Sequence, residues 1–241
     1  MAASSCLIIQ PTTYNLQTTT NNYLNYIDIH THSWYLDPET TLVLNLFPGE
    51  QDKLKLPAFF SIGLHPWHVH EHTWEKQVEN VKNAITDKKV IAVGEAGLDK
   101  AVGNPYEIQL SAFTEQLNLA ESSKKPLIIH CVRSYSELLA FRKKSDQSIP
   151  WIFHWFNADE QTAVELIRKN CYLSFGHMLF RDQSKALGVY RSVPLERVFF
   201  ETDDAGYTIR EIYSKAAAIR KVKVTDLKNQ IMDNFNRCFQ L

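Results

Sequence analysis

The sequence predicts an α/β fold, a TIM-like (β/α) barrel of parallel strands joined by helices. Eight short apolar runs are spaced along the chain, and amphipathic stretches follow most of the later runs. The length of 241 residues is normal for one such barrel. Alternation of strand and helix predicts right-handed parallel crossovers. A doubly wound parallel sheet is the second possibility.

The predicted strands are short runs rich in Ile, Val, Leu or Phe, and each ends near a glycine, a proline or a polar cluster. Continuous apolar runs are typical of strands that are buried on both faces of a parallel sheet. The runs are Tyr26–His30, Thr41–Leu46, Ala58–Leu64, Val90–Glu95, Pro126–Cys131, Trp151–Trp155, Cys171–Phe175 and Arg197–Glu201.

Six stretches have apolar residues at helical spacing, and Asp159 is a typical residue to cap the third of them. They cover residues 105–123, 135–144, 159–169, 182–192, 208–220 and 225–239. Only about ten residues separate the first two apolar runs, which is short for a strand–helix–strand crossover. We therefore expect a distorted barrel with a shortened first βα unit.

Composition narrows the class of protein and its compartment. Lys and Arg number 26 against 27 Asp and Glu, so nucleic acid is not bound by bulk charge, although metal ions can supply positive charge locally. Four scattered cysteines form no CxxC pair, and no apolar run reaches membrane-spanning length. We predict a cytoplasmic monomer without an obligate protein partner. Residues 1–22 are expected to be a flexible N-terminal extension, and residues 23–241 a single barrel domain.

Residues able to bind metal recur where the predicted strands end, which is where barrel active sites lie. Alternate strand residues face the same side, so His30 and His32 can both point towards the barrel axis. One catalytic ion usually takes three side chains and a water, so a larger set favours two ions with Glu95 between them. The predicted metal ligands are His30, His32, Glu95, His130, His154 and Asp203.

Each of these residues also has a structural interpretation. The His-x-His pair suits a packed or exposed strand, His130 and His154 suit hydrogen-bonded core positions, and Glu95 or Asp203 suits a helix cap. Six such coincidences at successive strand ends favour the metal site instead.

Several further residues near the strand ends are candidates for substrate contacts. Arg133 can clamp a phosphate or form a surface salt bridge. The aromatic residues Trp67, Trp155 and Phe156 can stack a base or pack at the barrel rim. We interpret His177 as a loop histidine.

The ordered motifs resemble those of the TatD-type deoxyribonucleases, within the amidohydrolase-like metal-dependent hydrolases. The resemblance covers roughly residues 26–205, and NFNRCF at 234–239 is similar to the family's C-terminal end. The matching motifs are IDIHTH at 27–32, SIGLHPW at 61–67, AVGEAGLD at 92–99, PLIIHCVRS at 126–134, FHWF at 153–156 and FFETD at 199–203.

The resemblance implies two divalent metal ions, zinc, magnesium or manganese. His30, His32 and Asp203 are expected to bind the first, His130 and His154 the second. Glu95 bridges them, and Asp203 is also the expected general base, which makes these two carboxylates the predicted catalytic residues. His65 and Arg133 are expected to contact the scissile phosphate.

The implied activity is hydrolysis of phosphodiester bonds, as in a DNase of the 3′–5′ exonuclease type that uses a metal-activated water. DNA or another phosphodiester is the expected substrate. Two loops depart from the family pattern: Asn157 and Ala158 stand where a glycine is common, and residues 204–207 lack the usual proline. Hydrolysis of a C–N or C–O bond in a small amide or lactone is therefore the alternative.

Overall fold

A computed structural model describes residues 25–240, and the predicted extension over residues 1–22 lies outside them. Eight parallel strands pair in chain order, β1-β2-β3-β4-β5-β6-β7-β8, which confirms the predicted barrel. They are β1 Tyr26–Thr31, β2 Thr40–Leu46, β3 Phe59–Ile62, β4 Val90–Asp99, β5 Leu127–Val132, β6 Trp151–Phe153, β7 Cys171–Phe175 and β8 Val198–Phe200.

Seven helices surround the strands of the described chain. They are α1 Trp74–Ala84, α2 Tyr106–Ser123, α3 Tyr135–Lys144, α4 Glu160–Ile167, α5 Lys185–Tyr190, α6 Ile209–Arg220 and α7 Val224–Phe239. Asp159 caps α4 as predicted, because its carboxylate accepts the Thr162 N–H at 2.8 Å. The sequence pattern did not identify α1.

The first part of the barrel is irregular, as the short spacing indicated. No α-helix lies between β1 and β2, and only a short 3-10 turn at Gln51–Lys55 lies between β2 and β3. The C-terminal helix α7 packs against this side of the barrel. Its Phe235 ring packs 6.0 Å from Phe59 at the start of β3, and Lys228 Nζ lies 3.9 Å from the centre of the Tyr26 ring on β1.

The ends of the barrel meet through backbone contacts between β1 and the residues that follow β8. Thr31 and Asp203 form a parallel bridge, and the Asp203 N–H donates to the His30 carbonyl oxygen at 3.0 Å. The core is apolar and aromatic, with Trp151, Phe153 and Phe200 almost fully buried. Within residues 25–240, no helix has both the length and the apolar character needed to cross a bilayer.

Candidate metal centre

The six residues predicted from the strand ends come together at the C-terminal end of the barrel. His30 is completely buried beneath the others, which border a cavity of about 490 Å³. Arg133 and His65 line the same cavity. Segments more than 170 residues apart along the chain therefore share one site, as the barrel topology requires.

Barrel closure fixes Asp203 beside the His-x-His segment. The His32 N–H donates to the Asp203 carbonyl oxygen at 3.3 Å, and the Thr31 hydroxyl donates to the same oxygen at 3.2 Å. Asp203 itself adopts a left-handed conformation, with φ of 53°. These contacts hold the Asp203 carboxylate next to both imidazoles of β1.

The first cluster consists of His30, His32, Asp203 and one oxygen of Glu95. His30 Nε2 lies 3.4 Å from Glu95 Oε2 and 3.6 Å from Asp203 Oδ1. His32 Nε2 lies 3.5 Å and 3.4 Å from the same two oxygens. Ligands bound at about 2.0–2.2 Å around a tetrahedral ion stand about 3.4 Å apart, so these four atoms have the spacing of one coordination shell.

His30 provides a separate observation in favour of a cation. Both of its ring nitrogens are buried, and neither has a hydrogen-bond partner. Unpaired buried polar atoms are uncommon and call for an explanation such as a bound ion. A metal ion between His30, Asp203 and Glu95 would give Nε2 a partner, so the donor set fits a divalent cation.

The second cluster gathers three imidazoles around the other Glu95 oxygen. Glu95 Oε1 lies 2.7 Å from His154 Nε2, 2.8 Å from His130 Nδ1 and 3.1 Å from His65 Nε2. These are hydrogen-bond distances, shorter than those of the first cluster. Because each Glu95 oxygen faces a different cluster, this carboxylate stands in a bridging position.

His65 lies within hydrogen-bond distance of Glu95, which contact with substrate alone does not require. Its Nε2 is also 3.0 Å from His130 Nδ1. Burial lowers the pKa of His65, so its imidazole is neutral at pH 7 and can offer a lone pair. His65, Glu95 and His130 form one of the groups whose atoms are close enough to share an ion.

The electrostatics of the site balance carboxylates against imidazoles. Burial opposes ionisation of Glu95, but His154, His130 and their hydrogen bonds hold its pKa well below the usual range. Burial likewise opposes protonation of His32 and His130, but the neighbouring carboxylates raise the pKa of each to about 9. Divalent ions would replace these protons, because metal binding displaces protons from its ligands.

A second set of carboxylates supports the imidazoles from behind. Asp99 Oδ2 lies 3.1 Å from His130 Nε2, the nitrogen that points away from Glu95. Glu201 Oε1 lies 3.8 Å from His154 Nδ1 and also accepts the Trp155 N–H. Carboxylates in this position orient metal-binding histidines and make them more basic.

Three buried amide side chains hold the strand ends, and the sequence analysis did not identify them. Asn45 Oδ1 accepts the Glu95 N–H at 2.7 Å, and Gln109 Oε1 accepts the Asp99 N–H at 2.9 Å. Gln116 Oε1 accepts the N–H of Leu64, beside His65, at 2.7 Å. No local motif marks these residues, and the partners of Asn45 and Gln116 lie 50 and 52 residues away.

The rim of the cavity carries exposed aromatic and cationic groups. Arg133 is exposed, and Trp67 and Trp155 are 55% and 39% exposed. Phe156 is 1% exposed and packs against Phe175, so it has the packing role rather than the stacking role. Trp67 is held in place by Asp99, whose Oδ2 accepts the Trp67 Nε1–H at 2.7 Å.

Known proteins share sequence and fold with this chain. Residues 49–240 match the family model described as TatD related DNase. The Escherichia coli metal-dependent hydrolase YcfH is 27% identical over 209 residues, covering 80% of this chain and 76% of that protein. Human TATDN2, named as a 3′–5′ RNA nuclease, is 32% identical over 160 residues, covering 63% of this chain but 21% of that protein.

A solved structure shares the fold. The crystal structure of the TatD homologue YjjV from Escherichia coli has a TM-score of 0.78 and 21% identity, covering 91% of this chain and 99% of that chain. The family match begins after the His-x-His segment, so the place of His30 and His32 in the first cluster rests on the geometry above. The strand ends, the carboxylate between two histidine clusters and the sequence match lead to one conclusion: the chain belongs to the TatD related DNase family and is a metal-dependent hydrolase.

Proposed function

We propose that this hydrolase cleaves phosphodiester bonds in nucleic acid at a centre of two divalent metal ions, as a DNase of the 3′–5′ exonuclease type. The observation that carries the proposal is the bridging position of Glu95, whose Oε2 faces the histidines at the end of β1 and whose Oε1 faces the histidines near the ends of later strands. Paired ions of zinc, magnesium or manganese supply Lewis acidity to phosphoryl oxygens and lower the pKa of a water molecule.

In this proposal the first ion is held by His30, His32 and Asp203, and the second by His130 and His154. Glu95 contributes to both. We assign His65 to the second site as well, because its Nε2 lies 3.1 Å from Glu95 Oε1. The alternative is that His65 contacts the scissile phosphate. Loss of His65 should lower the number of bound ions if it is a metal ligand, and should leave that number unchanged if it contacts only the substrate.

Asp203 is the proposed general base. Burial raises its pKa, but the nearby imidazoles of His30 and His32 outweigh burial and hold the pKa below the usual range. The carboxylate is therefore ionised at neutral pH and can accept a proton from the attacking water. Its position at the edge of both the cavity and the first cluster suits that role.

Arg133 is the proposed phosphate contact. It lines the cavity, lies on the loop after β5, and is exposed to an incoming substrate. We expect Arg133→Ala to lower kcat/KM for a phosphodiester about 10–100-fold, since charged hydrogen bonds contribute about 1.5–3 kcal/mol. Arg168→Ala is the matched control, because Arg168 is an exposed arginine at the end of α4, on the opposite face of the barrel.

A substrate panel tests the proposal directly. Purified protein is assayed with added Mg²⁺, Mn²⁺ or Zn²⁺ on single-stranded DNA, RNA, bis(p-nitrophenyl) phosphate, a lactone and a cyclic amide, before and after chelation. The proposal predicts metal-dependent release of nucleotides from DNA. Turnover of the lactone or amide without any phosphodiester turnover would contradict it and would favour C–O or C–N hydrolysis.

The domain boundary, monomeric state and cytoplasmic location stay predictions from the sequence. We propose a single barrel domain over residues 23–241 that works as a monomer. Analytical ultracentrifugation at assay concentrations measures the mass of the active species. A dimer that persists at those concentrations would contradict the monomer.

A further inference from the structure

Exposed apolar side chains are concentrated at the mouth of the barrel. Seven large apolar residues are exposed in the described part of the chain, and five lie on loops that follow strand ends: Trp34, Leu36, Trp67, Trp155 and Tyr207. The other two, Val164 and Val222, lie away from the mouth. A local concentration of exposed apolar surface is typical of a binding site.

One part of this rim is a continuous set of rings, here called the aromatic strip: Trp155, His177, Tyr207 and Phe180. The Trp155 and His177 rings meet edge to face with centres 4.8 Å apart. The planes of His177 and Tyr207 lie within 3° of each other, with centres 6.5 Å apart. Tyr207 stacks on Phe180 at 4.2 Å. The strip is therefore ordered by its own contacts.

The aromatic strip is continuous with the metal centre. Trp155 directly follows His154 and lines the cavity of about 490 Å³. Tyr207 lines a second cavity of about 290 Å³. Asp203 borders both cavities, so the strip passes from one cavity to the other beside this carboxylate. A chain-like substrate lying across Asp203 would meet the strip on one side of the reacting phosphate.

Cations stand at the outer end of the strip. Lys215 Nζ lies 5.7 Å from the centre of the Phe180 ring, and Arg181 is exposed on the residue after it. Burial and the positive charge of Arg181 lower the pKa of His177, so this ring is neutral at pH 7. Neutral aromatic faces next to cations suit a nucleotide, whose base stacks and whose phosphate is anionic.

We propose that the aromatic strip is a nucleobase-binding subsite for a nucleotide next to the scissile phosphate. This inference rests on the proposed phosphodiesterase function. A base in the interior of a duplex has both faces covered by its stacked neighbours, so such a base must leave the stack before it can lie on the rings. Aromatic stacking accepts any base, which predicts little sequence preference.

Two readouts test the subsite with the full chain. The first is kcat/KM for an oligothymidylate, the same backbone without bases, and bis(p-nitrophenyl) phosphate. The second is binding of hydrolysis-resistant phosphorothioate versions of both oligomers, followed by fluorescence anisotropy. The variants are Tyr207→Ala, Tyr207→Phe, which keeps the ring, and Val222→Ala, which removes exposed apolar surface away from the mouth.

We expect wild-type protein to bind the oligothymidylate at least tenfold more tightly than the abasic oligomer. Tyr207→Ala should remove most of that difference and leave turnover of the backbone oligomer without bases unchanged, whereas Tyr207→Phe and Val222→Ala should keep the difference. Equal binding of both oligomers by wild type, or an unchanged ratio in Tyr207→Ala, would overturn the subsite. Absence of all phosphodiester turnover by wild type would instead overturn the proposed function.

Discussion

Replacement of Asp99 by asparagine tests the support of the second cluster. Asp99 is 2% exposed and uses both carboxylate oxygens. Its Oδ1 accepts the Ala101 N–H at 2.7 Å, while Oδ2 accepts Trp67 Nε1–H at 2.7 Å and faces His130 Nε2 at 3.1 Å. Every partner is a donor. In either orientation of the asparagine amide, its NH₂ group meets at least one N–H, so Asp99→Asn loses a hydrogen bond.

The size of the effect follows from the kind of contact that is lost. A charged hydrogen bond contributes about 1.5–3 kcal/mol, and about 1.4 kcal/mol corresponds to a factor of ten. Since the Asp99 carboxylate orients His130, we expect one of the two ions to bind about 10–100-fold more weakly. The other ion, held by the first cluster, should keep its affinity because Asp99 does not contact His30 or His32.

Competition with a fluorescent zinc chelator measures both affinities in one titration. Glu137→Gln is the matched control, because Glu137 is a surface carboxylate that pairs with Lys100 next to Asp99 in the chain. Removal of this exposed pair should leave both affinities unchanged. Unchanged zinc affinity in Asp99→Asn, or equal weakening of both ions, would refute the positioning role.

Two further substitutions test the fold around the site. A Cβ at Gly97 would lie 1.9 Å from the His130 carbonyl oxygen, so Gly97→Ala should lower the free energy of unfolding by about 3 kcal/mol. Gly103→Ala should change it little, because a Cβ at Gly103 would meet no atom within 4 Å. Equal urea midpoints for the two variants would contradict this expectation. Burial raises the pKa of Asp28 from 3.8 to about 6, despite hydrogen bonds from Thr202. As pH rises, the unfolded chain therefore loses this proton before the folded protein does. The stability of the wild-type protein should fall as pH rises through this range. Without metal, the free energy of unfolding of Asp28→Asn should therefore rise by about 2 kcal/mol relative to that of wild type between about pH 4.5 and about pH 6.5. A difference between the two proteins that does not change with pH would be inconsistent with the raised pKa.

Much of the barrel follows from local sequence. Buried parallel strands give continuous apolar runs, and these runs identified all eight strands. The fourth strand is longer than its run because it continues to Asp99. Glu95 resembles a strand end when read locally, but it is 2% exposed and its charge is matched by histidines from other strands. The apparent end of the run was a buried carboxylate inside a strand.

The helix α1 was missed for a different reason. Its buried face consists of Val78, Val81 and Ala84, while most of its other residues are charged or polar. The preceding segment, residues 67–72, is rich in histidine and is not helical in character. These apolar residues recur at helical spacing, so the periodic signal was present, but they are few in a stretch that is otherwise charged and polar. Packing against α2 buries this face and stabilises the helix.

The candidate site was likewise predictable from the sequence only in part. Its residues could be predicted because barrel topology brings strand ends together. The grouping of His65 with His130 could not, because a separation of 3.0 Å between rings from different strands depends on tertiary packing. The supporting amides of Asn45 and Gln116 are likewise unmarked in the sequence, since their partners lie 50 or 52 residues away.

Glu95 is proposed to join two cation sites, one at each of its carboxylate oxygens. Metal content per chain, measured by plasma mass spectrometry after equilibration with zinc or manganese and removal of free ions, tests it most directly. We expect two ions per chain in wild type and fewer than one in Glu95→Ala, with circular dichroism showing that both proteins are folded. A wild-type chain that retains no ion, or a Glu95→Ala chain that still retains two, would contradict it.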